Sequence, residues 1–168
     1  MRRGRADLFT QAAETFGTKA QQFSSVLEVA LTGSLAAGDP WPGDVDVALA
    51  LHDLEDLVAL AKAARQISST THAWEVFVFG SGPDYLGRLC HRRDCPTRKA
   101  RCEAIDCGRT PFLANLPDFR FDPIRFLGSP LRLLFQRGAE SIFLAWRLRL
   151  GVREGPLVAA RLAEAGSA

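Results

Sequence analysis

The stretch Leu31-Thr-Gly-Ser-Leu-Ala-Ala-Gly38 determines how the rest of this 168-residue chain is interpreted. An apolar run precedes Gly33, so the sequence predicts a β-strand over 24–32 that leads into a tight turn and a short helix. Backbone N–H groups at such a turn, together with the Ser34 hydroxyl, can bind phosphate oxygens. The alternative is that Ser34 only caps the helix.

Two aspartates follow closely, in Gly43-Asp-Val-Asp-Val47, and they open an apolar run that predicts a second strand over 44–51. Because side chains alternate along a strand, Asp44 and Asp46 are expected on one face, about 6–7 Å apart. Neighbouring carboxylates repel unless a cation lies between them, and Mg²⁺ is commonly bound by one or two carboxylates and phosphates. Asp44 could alternatively cap a turn. Capping does not explain Asp46, which lies inside the apolar run.

At these residues the chain resembles the polymerase-beta-type nucleotidyltransferase superfamily. The family motif is an apolar residue with Gly-Ser, a short gap, and Asp-x-Asp on a strand. Leu31-Thr32-Gly33-Ser34, nine further residues and Asp44-Val45-Asp46 fill every motif position. Gly38 fits the Gly-Ser-x-x-x-Gly form of the small, minimal members. The resemblance covers roughly residues 24–80.

The resemblance implies an α/β fold, a nucleotidyltransferase-like mixed sheet flanked by helices. It also implies transfer of a nucleotidyl group from an NTP to an acceptor that the sequence does not identify. Gly33 and Ser34 would hold the β- and γ-phosphates, and Asp44 and Asp46 would bind Mg²⁺ or Mn²⁺. The family places a third carboxylate on a neighbouring strand, where Glu75 is the candidate, as a general base or a further metal ligand.

Glu75 lies in a third predicted strand over 71–80, which is rich in β-forming residues. Strand alternation puts Ala73, Glu75, Phe77 and Phe79 on one face. Glu75 is thus an acid among apolar residues, although the family more often has Asp there. The alternative is that Glu75 occupies an exposed end of the strand.

All four cysteines lie close together, in the pattern C-x4-C-x6-C-x4-C formed by Cys90, Cys95, Cys102 and Cys107. Clustered pairs in a chain with no recognisable secretion signal favour a metal over disulfides. Four thiolates form a closed tetrahedral site for structural Zn²⁺. An iron–sulfur cluster, two disulfides and unbound thiols remain the alternatives.

The cysteine segment is basic. Residues 88–109 contain seven Arg or Lys against three Asp or Glu, a net charge of +4 in a chain of net charge +2. This charge predicts a surface that contacts nucleic acid or a triphosphate. The alternative is that it partly balances the negative charge of a zinc–thiolate centre.

The chain divides into three predicted segments: a core with an N-terminal helix (1–86), a metal-binding insertion (87–111) and a mostly helical C-terminal segment that packs on the core (112–168). Helices are predicted over 6–23, over 53–67 with Leu54, Leu57, Val58, Leu60, Ala61 and Ala64 buried, from Ser129-Pro130 onward, over 139–150 and over 156–165. Gly17 is expected to weaken the first helix, and Arg147 and Arg149 are expected at solvated helix edges. The continuous apolar residues of 142–150 are expected to pack on the sheet or against a second copy or a partner protein.

No apolar run is long enough to cross a membrane, and no apolar core of a signal peptide follows the basic N-terminus, so a cytoplasmic protein is expected. Two other functions remain open. One is a catalytically silent nucleotide-binding or interaction module, like the minimal nucleotidyltransferase partner of toxin–antitoxin pairs. The other is a zinc-dependent nucleic-acid-binding protein that retains the fold.

Overall fold

The structure is a computed structural model that describes residues 4–68, 73–90, 102, 111–114, 121–152 and 157–158. The elements are α1 (Arg5–Ala20), β1 (Val26–Thr32), α2 (Gly33–Ala36), β2 (Val45–Leu51), α3 (Leu57–Ser68), β3 (Trp74–Phe79), β4 (Tyr85–Leu89), β5 (Leu113–Ala114), α4 (Pro123–Gly128), β6 (Leu131–Gln136), α5 (Ile142–Arg149) and β7 (Leu157–Val158).

The strands of the described residues form one mixed sheet in the order β5-β4-β3-β2-β1-β6-β7. β1 pairs antiparallel with β2 and with β6, and β3 pairs antiparallel with β4, which pairs antiparallel with β5. β2 and β3 are parallel, as are β6 and β7. The predicted mixed α/β sheet flanked by helices is therefore confirmed.

Each face of the sheet carries its own core. On one face, α1 and α3 pack on Val47, Leu49 and their neighbours. On the other face, α5 packs over Ala30, Ala48 and the aromatic side chains of β3. The alternation of large and small residues along β1 and β2 explains this division, since alternate side chains of a strand point to opposite faces.

The N-terminal half follows the sequence prediction with local corrections. Gly17 does not interrupt α1; a Cβ there would lie 3.0 Å from Cβ of Leu134, so the glycine lets the helix approach β6 closely. α3 begins at Leu57 rather than after Asp53, whose carboxylate instead accepts a hydrogen bond from the backbone N–H two residues later. Leu54 and Val58, predicted buried, are exposed.

The C-terminal half differs more. The predicted helix from Pro130 is the strand β6, and Leu157–Val158, predicted helical, form β7. Local sequence favours a helix here because β6 contains no β-branched residue, but β6 closes the edge of the buried strand β1, and such tertiary context overrides propensity. The helix predicted over 139–150 is confirmed as α5, whereas 159–165 lie outside the described residues.

Two buried charged side chains hold α5 in place. Glu28 on β1 is fully buried; it accepts hydrogen bonds from the Ser141 hydroxyl, at 2.6 Å, and from the Ile142 N–H at the start of α5. Arg147, expected at a solvated edge, is only 1% exposed and donates to the carbonyls of Leu127 and Ser129. Its side chain therefore ties α5 to the end of α4 and the loop that follows.

Candidate active site

Three polar side chains lie in register at one end of the adjacent strands β1, β2 and β3. Thr32 at the end of β1 pairs with Asp46 on β2, and Asp46 pairs with Glu75 on β3. All three occupy the face that carries α4 and α5, because Ala48 and Phe77, two positions further along their strands, belong to that core. Glu75 is thus the direct neighbour of Asp46 on the next strand, the position that the resemblance assigns to a third acid.

Gly33 lies against Asp46 more closely than any other residue type allows. Its φ is +72°, a left-handed conformation that residues with a Cβ rarely adopt. A Cβ at Gly33 would stand 2.7 Å from Oδ2 of Asp46. The turn therefore needs glycine for two reasons, its backbone angle and the space taken by the carboxylate. The N-cap of α2 is Thr32, so Ser34 lies inside the helix, and the capping interpretation of Ser34 is wrong.

Asp46 is partly buried, and its pKa is raised to about 7. Burial is the largest cause, followed by repulsion from Asp44 and from Glu75. Asp44 is exposed and stands just before β2. The turn that Asp44 might have capped is instead held by Asp39, which accepts a hydrogen bond from the Trp41 N–H. Asp46 thus has the electrostatic surroundings of a site that a cation would stabilise.

Glu75 forms an ion pair with Arg88 of the adjacent strand β4. The Arg88 side chain is 10% exposed and the Glu75 side chain 32% exposed. Arg88 is one of the basic residues of 88–109, for which the sequence predicts a contact surface. Its guanidinium is instead buried and pairs with an acid of the sheet. The ion pair explains how an acid is accommodated in an apolar strand, and it gives Glu75 a cationic partner that the sequence did not reveal.

A cleft of about 320 Å³ opens at this end of the strands. Its lining residues come from the β1–α2 turn, from β2 and β3, and from the region of α4: Thr32, Gly33, Asp46, Phe77, Phe121, Asp122, Arg125, Phe126 and Ser129. The predicted site residues Gly33 and Asp46 line it. Ser34, Asp44 and Glu75 are near neighbours of these two in the chain or in register and are not part of the lining.

The second wall of the cleft was missed in the sequence. Asp122 caps α4 by accepting hydrogen bonds from the N–H groups of Ile124 and Arg125, and Pro123 follows it at the first helical position. An Asp-Pro pair is a known start signal for a helix, so α4 could have been found. Its position across from Asp46 depends on tertiary packing and could not.

Cys90 and Cys102 both form hydrogen bonds with the backbone of Phe112. The Cys90 N–H donates to the carbonyl of Phe112 at 2.9 Å, and the Phe112 N–H donates to Sγ of Cys102 at 3.2 Å. Phe112 has a φ of 64°. Cys95 and Cys107 lie outside the described residues. No group of three or more His, Cys, Asp or Glu side chains in the described ranges is arranged to hold a metal ion.

Within the part of the chain that the structure describes, no helix combines the length and the apolar character needed to cross a membrane.

Comparison of the chain with protein-family models, curated proteins and solved structures finds no match.

Proposed function

We propose that this protein is a metal-dependent nucleotidyltransferase that moves a nucleotidyl group from an NTP to an acceptor. One observation supports this most directly. Gly33, in a left-handed conformation, lies so close to the Asp46 carboxylate that a Cβ would collide with it. A turn whose N–H groups could bind phosphate, next to an acid in the same cleft, would supply two of the parts that nucleotidyl transfer requires.

The donor set suits Mg²⁺ or Mn²⁺. These ions prefer oxygen ligands and are typically bound by one or two carboxylates together with substrate phosphates. Asp44 and Asp46 would hold the ion, whose positive charge would offset the burial and the repulsion that raise the pKa of Asp46. When bound, the ion would neutralise charge on the transferring phosphoryl group. Gly33 and Ser34 would bind the β- and γ-phosphates through backbone N–H groups and the Ser34 hydroxyl.

In the proposed reaction an acceptor oxygen forms a bond to the α-phosphorus, and the bond from that phosphorus to the β-phosphate oxygen breaks. Pyrophosphate leaves with the electron pair. The acceptor loses a proton, for which the Glu75 carboxylate, the strand neighbour of Asp46, is the proposed base. The ion pair with Arg88 would keep that carboxylate at a fixed position next to the site.

The same ion pair favours a second candidate function. If Arg88 holds Glu75 permanently, the site has two available acids, and the protein binds Mg–NTP without transferring the nucleotidyl group. This is the catalytically silent module, and a test must separate nucleotide binding from transfer.

The test is incubation of the purified protein with each α-labelled NTP, Mg²⁺ or Mn²⁺, and total RNA, protein and small-molecule extracts of the host. Transfer of label to one fraction supports the enzyme and identifies the class of acceptor. NTP binding without transfer supports the silent module. The doubly substituted protein Asp44→Asn, Asp46→Asn should lose Mg-dependent NTP binding, whereas Asp84→Asn, an exposed acid in the β3–β4 turn, should not. Unchanged NTP affinity in the double variant would refute the site.

We further propose that the four cysteines bind zinc. Cys90 and Cys102 both contact Phe112 beside the β4–β5 pairing, which supports their convergence. An N–H group that donates to a cysteine sulfur is the type of outer contact that orients metal ligands. Purified protein should carry about one zinc per chain by elemental analysis. Cys102→Ser or chelation should lower the melting temperature, since metal binding contributes to folding free energy. Zinc-free protein would refute this proposal, and a brown colour would indicate iron.

A further inference from the structure

Aromatic rings form much of one wall of the cleft. Phe77, Phe121 and Phe126 line the same 320 Å³ cleft as Gly33 and Asp46. Their ring centroids lie 5.2–6.5 Å from one another. Phe77 is buried in the core of this face of the sheet, whereas Phe121 and Phe126 are only partly buried and pack against that core.

Other aromatic side chains pack against these rings and fix their positions. Phe126 and Phe121 lie 5.2 and 5.4 Å from Phe79, which is fully buried. Phe121 also stacks on Tyr85, with centroids 4.2 Å apart and ring planes 16° apart. Tyr85 is not among the lining residues, so the cleft meets Phe121 away from that stacked face. A ring surface fixed in this way can receive a flat ligand with little loss of conformational entropy.

One cation stands beside these rings. Arg125 is the only basic residue among those that line the cleft. Its guanidinium is exposed and forms no ion pair within the described ranges. The cleft therefore combines Gly33 and Asp46 at one wall with aromatic rings, the Arg125 guanidinium and the Asp122 carboxylate, which caps α4, at the other. This distribution suits a ligand that has both a flat ring system and an anionic group.

We propose that the aromatic wall binds the nucleobase of the NTP, which stacks on Phe126 and Phe121 while Arg125 contacts the phosphates. This inference rests on the proposed nucleotidyltransferase function and identifies the residues that bind the base of its NTP. Clefts of this volume are at the lower end of those that hold small molecules. Stacking depends on the ring surface, which every base has, so all four NTPs bind, and purines bind more tightly than pyrimidines.

Calorimetric titration with Mg–ATP, Mg–CTP and Mg–tripolyphosphate tests the assignment. Wild-type protein should bind ATP at least about tenfold more tightly than tripolyphosphate, which lacks the base. Phe126→Leu, which keeps an apolar side chain of similar size, should weaken ATP binding by roughly 5- to 100-fold and leave tripolyphosphate binding unchanged. Arg125→Gln should weaken the binding of both ligands.

Phe143→Leu is the matched control. Phe143 is fully buried in the same aromatic cluster and does not line the cleft. It therefore reports any loosening of the core without removing a ring from the wall. Phe121→Leu repeats the test if Phe126→Leu does not fold.

The outcomes separate the two proposals. Wild-type protein that binds neither ATP nor tripolyphosphate refutes the nucleotidyltransferase function and the base subsite with it. Wild-type protein that binds both equally, or Phe126→Leu protein with unchanged ATP affinity, overturns the base subsite alone. The subsite is also overturned if the phenylalanine variants lose transfer but keep ATP affinity, since the acceptor would then occupy the wall.

Discussion

Replacing Asp46 with asparagine should make the metal-free protein more stable. In the folded protein the pKa of Asp46 is about 7, against 3.8 for an ordinary aspartate, chiefly because of burial and then of repulsion from Asp44 and Glu75. Between these two values the folded state keeps a proton that the unfolded chain has released. The free energy of unfolding therefore falls as pH rises from about 4 to about 7, and above that the full penalty is present.

The size of this penalty follows from the two values. At about 1.36 kcal/mol for each pH unit, the difference gives a ceiling of about 4 kcal/mol. Asp46 retains some contact with solvent, which screens the charge, so we expect Asp46→Asn to raise the free energy of unfolding by about 2–4 kcal/mol at about pH 8. At about pH 4 the aspartate is protonated in the folded protein, and the gain should nearly vanish.

Urea denaturation at both pH values measures the effect. Asp44→Asn is the matched control: Asp44 is exposed, so its removal should raise stability only slightly, by relieving part of the repulsion on Asp46. Added Mg²⁺ should stabilise the wild-type protein and not Asp46→Asn, since a ligand stabilises only the state that binds it. A variant that is less stable than wild type at pH 8, or equally stabilised at both pH values, would refute the electrostatic account of the site.

Two further pairs of substitutions test the surroundings of this acid. Gly33→Ala and Gly38→Ala both place a Cβ at positive φ, at a cost of about 1–2 kcal/mol each in the free energy of unfolding. Only the Cβ at position 33 would collide with Oδ2 of Asp46, so only Gly33→Ala should also weaken Mg–NTP binding. Equal losses of affinity in a binding titration would contradict the contact. Arg88→Met should lower the free energy of unfolding by about 1–3 kcal/mol, because Glu75 loses its partner beside another acid. Adding Glu75→Gln should recover part of that loss in a double-mutant cycle, and strictly additive effects would argue against the ion pair.

Local chemistry predicted the centre of the sheet. Apolar runs and β-forming residues identified β1, β2 and β3. Period-two alternation then placed Glu75 and Phe77 on one face, because alternate side chains of a strand point to opposite sides of the sheet. The glycine at position 33 was expected at a turn, and its positive φ is the physical reason. What the sequence did not contain was the contact with Asp46, which depends on the register between β1 and β2.

The far wall of the cleft could not be predicted, since its position depends on contacts between distant residues. Leu131–Gln136 becomes a strand because the edge of β1 requires a partner, and α4 is held where it is by the buried guanidinium of Arg147, which donates to the carbonyls of Leu127 and Ser129. Periodicity cannot show that an arginine in an apolar helix points inward. The sequence therefore indicated only the face on which Phe77 lies, and it did not show that Phe121 and Phe126 join Phe77 in one wall.

Strand β4 connects the acids of the predicted core with the cysteines of the predicted insertion. Arg88 lies opposite Phe77 in the β3–β4 pairing and extends to Glu75, the neighbour of Asp46. Two residues later, the Cys90 N–H donates to Phe112, and the Cys90 carbonyl accepts a hydrogen bond from Arg65 of α3. One strand thus carries the arginine that pairs with Glu75 and leads directly into the first of the four cysteines, whose backbone is hydrogen-bonded to Phe112 and to Arg65.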